Sequence, residues 1–233
     1  MKIYPAVSEV FHSLLDFLYP PACPVCGGSF AAREIICHNC TEAITGCAYN
    51  YIPHRHDLKH VERISILLPY NPQCRKVVHA LKYHGMHSVG LVLGELMAKK
   101  TLKEYSFTKT SENPCLVPVP LHPSKLNDRG YNQSYRLAEG FTLFTGFEIC
   151  DNVLCRIKQT GTQTVIDPEQ RALNVRDAFR YTGEKSLSGR PVILIDDVMT
   201  TGSTISECAT ALKEGGCGDI TVCVVATPEV GMD

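Results

Sequence analysis

Short apolar runs alternate with amphipathic stretches along most of the chain. Residues 64–68, 115–120, 153–157, 192–195 and 220–226 are brief runs rich in Val, Ile, Leu and Cys, and each is expected to form a strand. Between them the period changes. Residues 71–83 open on Asn71-Pro72, place Val77, Val78 and Leu81 on one face and stop at His84-Gly85, which predicts a helix. Residues 88–100, 133–144, 167–179 and 203–213 are expected helices as well. The one over 167–179 has Pro168 at its first turn, and the last is closed by Gly215-Gly216. Val7, Val10, Phe11, Leu14, Leu15 and Leu18 recur at helical spacing, so residues 6–18 are expected to form a short amphipathic helix packed on the body. Strands alternating with helices predict an α/β fold, a parallel sheet flanked by helices with right-handed crossovers.

One junction carries more chemistry than the others. Val192-Ile193-Leu194-Ile195 runs into Asp196-Asp197, then into Val198-Met199-Thr200-Thr201-Gly202-Ser203-Thr204 and a helix. A continuously apolar strand suits the centre of a parallel sheet. Two carboxylates at its end can accept hydrogen bonds from sugar hydroxyls. The hydroxyl-rich turn offers backbone N–H groups and a helix N-terminus to a phosphate. Gly202 lets the backbone turn sharply and approach a ligand. Ligands of open α/β sheets sit beyond the carboxyl ends of strands, where this turn would lie. An ordinary strand–turn–helix junction with a Ser203 cap leaves the acidic pair and the Thr pair without a reason. The P-loop and dinucleotide fingerprints are absent from the chain.

Composition narrows the class. The 233 residues suffice for one full domain plus a small one. With 23 basic against 24 acidic residues, overall charge makes no electrostatic case for nucleic acid. No apolar run is long enough for a membrane span. Glu9, His12 and Asp16 interrupt what would be the apolar region of an export signal, so the cytoplasm is the expected compartment.

In that compartment the 12 cysteines are expected to be reduced, metal-bound or packed in cores. Cys23-Pro24-Val25-Cys26 and Cys37-His38-Asn39-Cys40 form a pair of C-x2-C knuckles ten residues apart. Four thiolates make a closed tetrahedral site, which predicts structural zinc on Cys23, Cys26, Cys37 and Cys40. His38 and Cys47 stand nearby as outside candidates. Of the other cysteines, Cys115, Cys155 and Cys223 are expected in the core. His54, His56, Asp57 and His60 form a histidine-rich piece read as a solvated loop. The chain is expected to divide there, into a zinc module over 1–60 and the α/β domain over 61–233.

The segment 121–134 follows a strand and is polar, with proline and glycine, so it falls on the same sheet edge as the acidic pair. Its Lys125 and Arg129 can reach pyrophosphate oxygens, the arginine bidentately.

The stretch 196–204 resembles the phosphoribosyl pyrophosphate (PRPP) loop of type I phosphoribosyltransferases. The whole chain resembles the ComF family. The resemblance includes the four-cysteine knuckle, Leu81-Lys82-Tyr83 with Gly85, and Val117-Pro118-Val119-Pro120. It continues through Arg129-Gly130-Tyr131-Asn132-Gln133, Arg156, Gln163, Arg171-Ala172-Leu173-Asn174-Val175, Phe179 and the acidic turn. The stretch 160–164 departs by being more polar. The resemblance implies a type I phosphoribosyltransferase-like fold and a link to natural transformation. It implies PRPP held by Asp196, Asp197, Val198, Met199, Thr200, Thr201, Gly202, Ser203 and Thr204, with Mg2+ accompanying the PRPP. Lys82 and Arg129 would stabilise the departing pyrophosphate, and the acidic pair is expected to stay ionised. Further partners implied are single-stranded DNA, a competence helicase and DprA-type proteins. A second reading keeps the fold without the reaction, as a PRPP sensor or a DNA-handling protein. DNA would then run along Lys82, Lys125, Arg129 and Arg136, with Tyr83 and Tyr131 as stacking platforms.

Overall fold

The computed structural model describes residues 22–28, 35–45, 58–82, 87–105, 107, 113–158, 176–184 and 186–228. The expected helix over 6–18, Tyr83, Gly85, Cys47, most of the histidine-rich piece, and Gln163 and Arg171–Val175 of the resemblance lie outside them.

Four parallel strands form the sheet. In chain order they are β1 (Arg63–Pro69), β2 (Cys115–Pro118), β5 (Val192–Val198) and β6 (Ile220–Thr227), and in space they run β1-β6-β5-β2. Register follows the expected central position of β5, with Ile193 opposite Thr221 on one side and Leu116 on the other. Such a strand is covered on both faces, and Val192 through Ile195 are all buried.

Alternate side chains divide the core into two layers. Val192 and Leu194 pack with Ile205, Cys208 and Leu212 of helix α6 (Ser203–Glu214). Ile193 and Ile195 face the opposite layer, made by α2 (Pro72–Lys82), α3 (His87–Glu104) and α5 (Gln133–Thr145). Helices α3 and α5 approach closely because Gly94 and Gly140 have no side chains. A Cβ on Gly94 would run into the Leu137 carbonyl, and one on Gly140 into that of Leu91.

Two expectations are corrected. The strand over 153–157 does not join the parallel sheet. Its core, β3 (Leu154–Arg156), pairs antiparallel with β4 (Phe179–Tyr181) as a separate ribbon packed against α6. Phe179, expected at the end of a helix, opens that second strand. A three-residue run is too short for periodicity to decide its partner. In addition, Cys155 is only partly buried, whereas Cys115 and Cys223 are fully buried as expected.

The segment after β2 is not an irregular loop. Pro123–Arg129 forms a short helix, α4, capped by the His122 ring nitrogen, which accepts from Ser124 N–H. Gly130 ends it at φ 76°. Asn132 then caps α5, its Oδ1 accepting from Ser134 N–H at 3.0 Å while its Nδ2 donates to the Val119 carbonyl. Two caps ten positions apart fix how this segment leaves the sheet.

The knuckle packs on the domain. Val25, Ile36 and Ile44 share a core with Leu67, Cys74 and Val77. Ile44 lies on α1 (His38–Thr45), which begins between the last two cysteines of the knuckle.

Candidate functional site

Asp196 and Asp197 end β5 as the pattern predicts, and other elements converge on them. Lys82, the last residue of α2, places Nζ 2.8 Å from Asp197 Oδ2, with the carboxylate side chain only 14% exposed. Ser134 in the first turn of α5 donates its hydroxyl to Asp196 Oδ1 at 3.0 Å. The backbone folds back on the same groups, with Asp197 N–H donating to Asp196 Oδ1 and Val198 N–H to Asp197 Oδ1.

Burial and the neighbouring Asp197 push the Asp196 carboxyl up to about 7. Hydrogen bonds from Asp197 N–H and Ser134, and the Lys82 charge, work in the opposite direction without cancelling the rise. The expectation that both carboxylates stay ionised concerned a site filled by sugar hydroxyls and a metal; in the free protein Asp196 is shifted toward the neutral form. Without a ligand, its environment favours the neutral acid into the neutral pH range.

Cations crowd the same edge. Burial, then repulsion from Arg156, Arg129 and Lys82, lowers the Lys125 pKa, while Asp197 acts against the fall. Arg156, on β3, is itself within electrostatic reach of Asp196. Arg129 Nη1 donates to Gln133 Oε1 at 3.0 Å. Four cations from α2, α4 and β3 thus surround two carboxylates, an excess of positive charge suited to a polyanion.

The turn after the pair encloses a small cleft of about 30 Å³ lined by Asp196 and residues 198–205. Its residues divide by exposure. Val198 and Met199 pack into the core, Met199 at 4% exposure. Thr200 and Thr201 are exposed, and Thr201 Oγ1 lies 2.9 Å from Ser203 Oγ. Gly202, rather than Ser203, is the residue that caps α6. It sits at φ 77° and brings no capping side chain of its own; Thr201 Oγ1 accepts from Ser203 N–H at 3.5 Å. A Cβ there would run into Leu58. Beyond that long contact, the first N–H groups of α6 lack intrahelical partners, as at any helix start, and lie beside the turn.

Tyr131 is buried and donates its hydroxyl to the Leu81 carbonyl, with the His87 ring edge-on at 4.3 Å. It cannot serve as a stacking platform, and that expectation is corrected. The Leu81 carbonyl and the His87 ring hold it inward, against the polar setting suggested by the local sequence. Lys82, Asp196, Asp197, Arg129 and Lys125 do gather at one sheet edge. Sequence reasoning passed over Ser134, which reads as an ordinary first-turn helix residue. Arg156 and Gln133 carried a signal only through the resemblance.

The cysteine cluster lies apart from this edge, at the other end of α2. The sulfurs of Cys23, Cys26, Cys37 and Cys40 all lie within 4.8 Å of one another, with Cys26 and Cys37 at 3.7 Å. A tetrahedron with Zn–S bonds of about 2.3 Å has edges of about 3.8 Å, so the set fits that ion. Burial disfavours the Cys23 thiolate, but backbone hydrogen bonds from Cys37, Cys26 and Val25 outweigh it and bring its pKa down to about 7. A thiolate held in this way is a ready ligand. Burial raises the pKa of Cys40.

Residues 146–231 match the model of the phosphoribosyl transferase domain, and residues 14–50 match that of the double zinc ribbon domain. The chain is 26% identical over 203 residues to DNA utilization protein YhgH of Escherichia coli K12, covering 86% of this chain and 87% of that protein. It is 34% identical over 108 residues to Competence protein F of Haemophilus influenzae, 46% of this chain and 47% of that one. Against Competence protein ComFC of Streptococcus pneumoniae, identity is 26% over 156 residues, 66% and 63% of the two chains. A zinc ribbon joined to a phosphoribosyl transferase domain is the architecture read from the sequence, and together with these relatives it is consistent with the ComF family.

Proposed function

We propose that the protein binds PRPP at the C-terminal edge of the sheet and transfers or senses its phosphoribosyl group. The observation that carries this reading is the gathering of Lys82, Lys125, Arg129 and Arg156 around an acidic pair that runs into an open helix N-terminus. Asp196 and Asp197 would accept hydrogen bonds from the ribose hydroxyls. The turn over 200–204 would hold the 5′-phosphate through backbone N–H groups and hydroxyls. Arg129 and Lys82 would face the pyrophosphate, with Lys125 and Arg156 adding charge.

Magnesium, bound by the donor's own oxygens, would supply charge neutralisation for the leaving group. In the transfer reaction an acceptor nucleophile forms a bond to the anomeric carbon while the bond to pyrophosphate breaks and takes the electron pair. The protein's part is to position the sugar and to stabilise the leaving charge. A metal-free contribution belongs to Lys82. When a sugar hydroxyl takes over Asp197, the ammonium is released toward the leaving group.

Zinc on Cys23, Cys26, Cys37 and Cys40 is structural in this reading, because four thiolates leave no open position for chemistry. The relatives' names, DNA utilization and competence, support a role in handling incoming DNA. We place that role in the cytoplasm, with single-stranded DNA, a helicase or DprA-type proteins as partners. Among the described residues no helix is long and apolar enough to cross a membrane.

Isothermal titration of the zinc-loaded protein with PRPP, with and without magnesium, tests the reading. Binding that needs magnesium and is lost in Asp196→Ala/Asp197→Ala supports it, and an unchanged affinity in that variant refutes the site. Pyrophosphate release with an acceptor then separates an enzyme from a sensor.

A further inference from the structure

Two adjacent residues in the first turn of α5 reach opposite kinds of group. Gln133 Oε1 accepts from the Arg129 guanidinium at 3.0 Å. Ser134 Oγ donates to Asp196 Oδ1, also at 3.0 Å. Both residues are almost wholly buried, at 2% and 3% exposure, so their side chains are held by packing. The Asn132 cap locks the same turn, through Ser134 N–H on one side and the Val119 carbonyl at the end of β2 on the other.

We propose that Gln133 and Ser134 form a positioning pair that sets the distance between the carboxylate for the sugar and the cation for the pyrophosphate. This rests on the PRPP reading above. The geometry supports it in two ways. Ser134 and Asp197 N–H both donate to the same oxygen of Asp196, which orients the carboxyl and leaves its second oxygen to face a ligand. Gln133 Nε2 is buried with no hydrogen-bond partner among the described residues. An amide chosen only for packing would be better replaced by leucine, because an unmet buried donor costs stability. Its retained use here is to hold Arg129 through Oε1. Ser134 and Gln133 are positioning residues, since each acts through its neighbour.

The groups that face Asp196 are Asp197 on its own strand, Lys82 from α2, Ser134 from α5, Arg156 from β3 and Cys208 from α6. Of these, only Ser134 can be changed without altering charge or emptying the core. Removing its hydroxyl takes away a bond that favours the ionised form, so Asp196 should titrate at higher pH.

The experiment is a titration of PRPP with magnesium into wild type, Ser134→Ala, Ser134→Thr and Gln133→Leu between pH 5.5 and 8.5, each variant first shown by melting to be folded. Ser134→Ala should bind about tenfold more weakly at pH 7, with the acid limb of its affinity profile moved to higher pH. Ser134→Thr, which keeps the hydroxyl, should restore both. Gln133→Leu should weaken binding without moving the limb, because it acts on Arg129. Wild-type affinity and profile in Ser134→Ala would overturn the pairing. If wild type binds no PRPP, the PRPP reading fails, and the positioning is read directly by ¹³C titration of Asp196 in the free protein. A midpoint that rises in Ser134→Ala upholds it, and an unmoved midpoint overturns it.

Discussion

Lys82 Nζ and Asp197 Oδ2 stand 2.8 Å apart, joining the last residue of α2 to the end of β5 across a largely buried gap. The lysine meets one carboxylate and lowers the cost of the other, because its charge also stabilises ionised Asp196. Lys82→Ala should therefore destabilise the free protein by about 1–2 kcal/mol, less than a fully buried pair because Lys82 keeps 26% exposure. It should also weaken PRPP binding. Thermal melts and calorimetry on one preparation check both effects. A variant with unchanged melting temperature would show that the pair contributes nothing to the fold.

Asp196 gives a pH prediction with a definite sign. Its folded pKa is raised to about 7, above the ordinary value of an unfolded aspartate near 4. Its contribution favours the folded state fully below pH 4 and is lost as pH rises through 7. Asp196→Asn removes that loss. At pH 8 the variant should melt about 8 °C or more above wild type, and at pH 4 the gain should vanish. Melting curves across this window test it, and an equal shift at both pH values would point to packing instead of charge.

Under the proposed function the same ionisation should govern PRPP binding. If ribose hydroxyls donate to Asp196, binding takes the proton off, and PRPP affinity should fall steadily as the pH drops from 8 to 6. Calorimetry in buffers of different protonation enthalpy should report proton release on binding near pH 7.

Gly202 holds φ 77° against Leu58. Gly202→Ala faces both an unfavourable backbone region and a collision with the leucine, and should lose about 1–3 kcal/mol. The loss should appear in urea melts. Pairing it with Leu58→Ala should recover the steric part and leave the backbone part.

Chelation gives the last prediction. Stripping the four-cysteine cluster should unfold the knuckle, since metal binding and folding are one event in such modules. The melting temperature of the whole protein should fall with it, because Val25 and Ile44 share a core with Cys74 and Val77. Circular dichroism with and without chelator measures this.

Much of this was legible in the sequence, for identifiable reasons. Val192–Ile195 is apolar throughout because the strand is covered on both faces, so its central place could be read directly. The acidic pair and the four cysteines announced themselves by residue type at close spacing. Ser134 and Gln133 did not, because their meaning lies in partners 62 and 4 positions away. The raised Asp196 pKa of the free protein was not legible for a related reason. Adjacent carboxylates look solvated in a sequence, and only the fold draws both of them partly out of water. The β3–β4 ribbon escaped because Leu154–Arg156 is too short to reveal its partner.

Helix α2 touches both ends of the molecule's chemistry. Gln73, Cys74, Lys76 and Val77 face Cys26, Cys40, Ala43 and Ile44 across a cleft, while Lys82 meets Asp197 at the far end. Eleven residues make a rod of about 16 Å. The four-cysteine module is thus a wall behind the helix that carries Lys82 to the acidic pair. A trimmed chain, or a graft of the acidic turn onto another sheet, would have to rebuild that wall before it could aim the lysine.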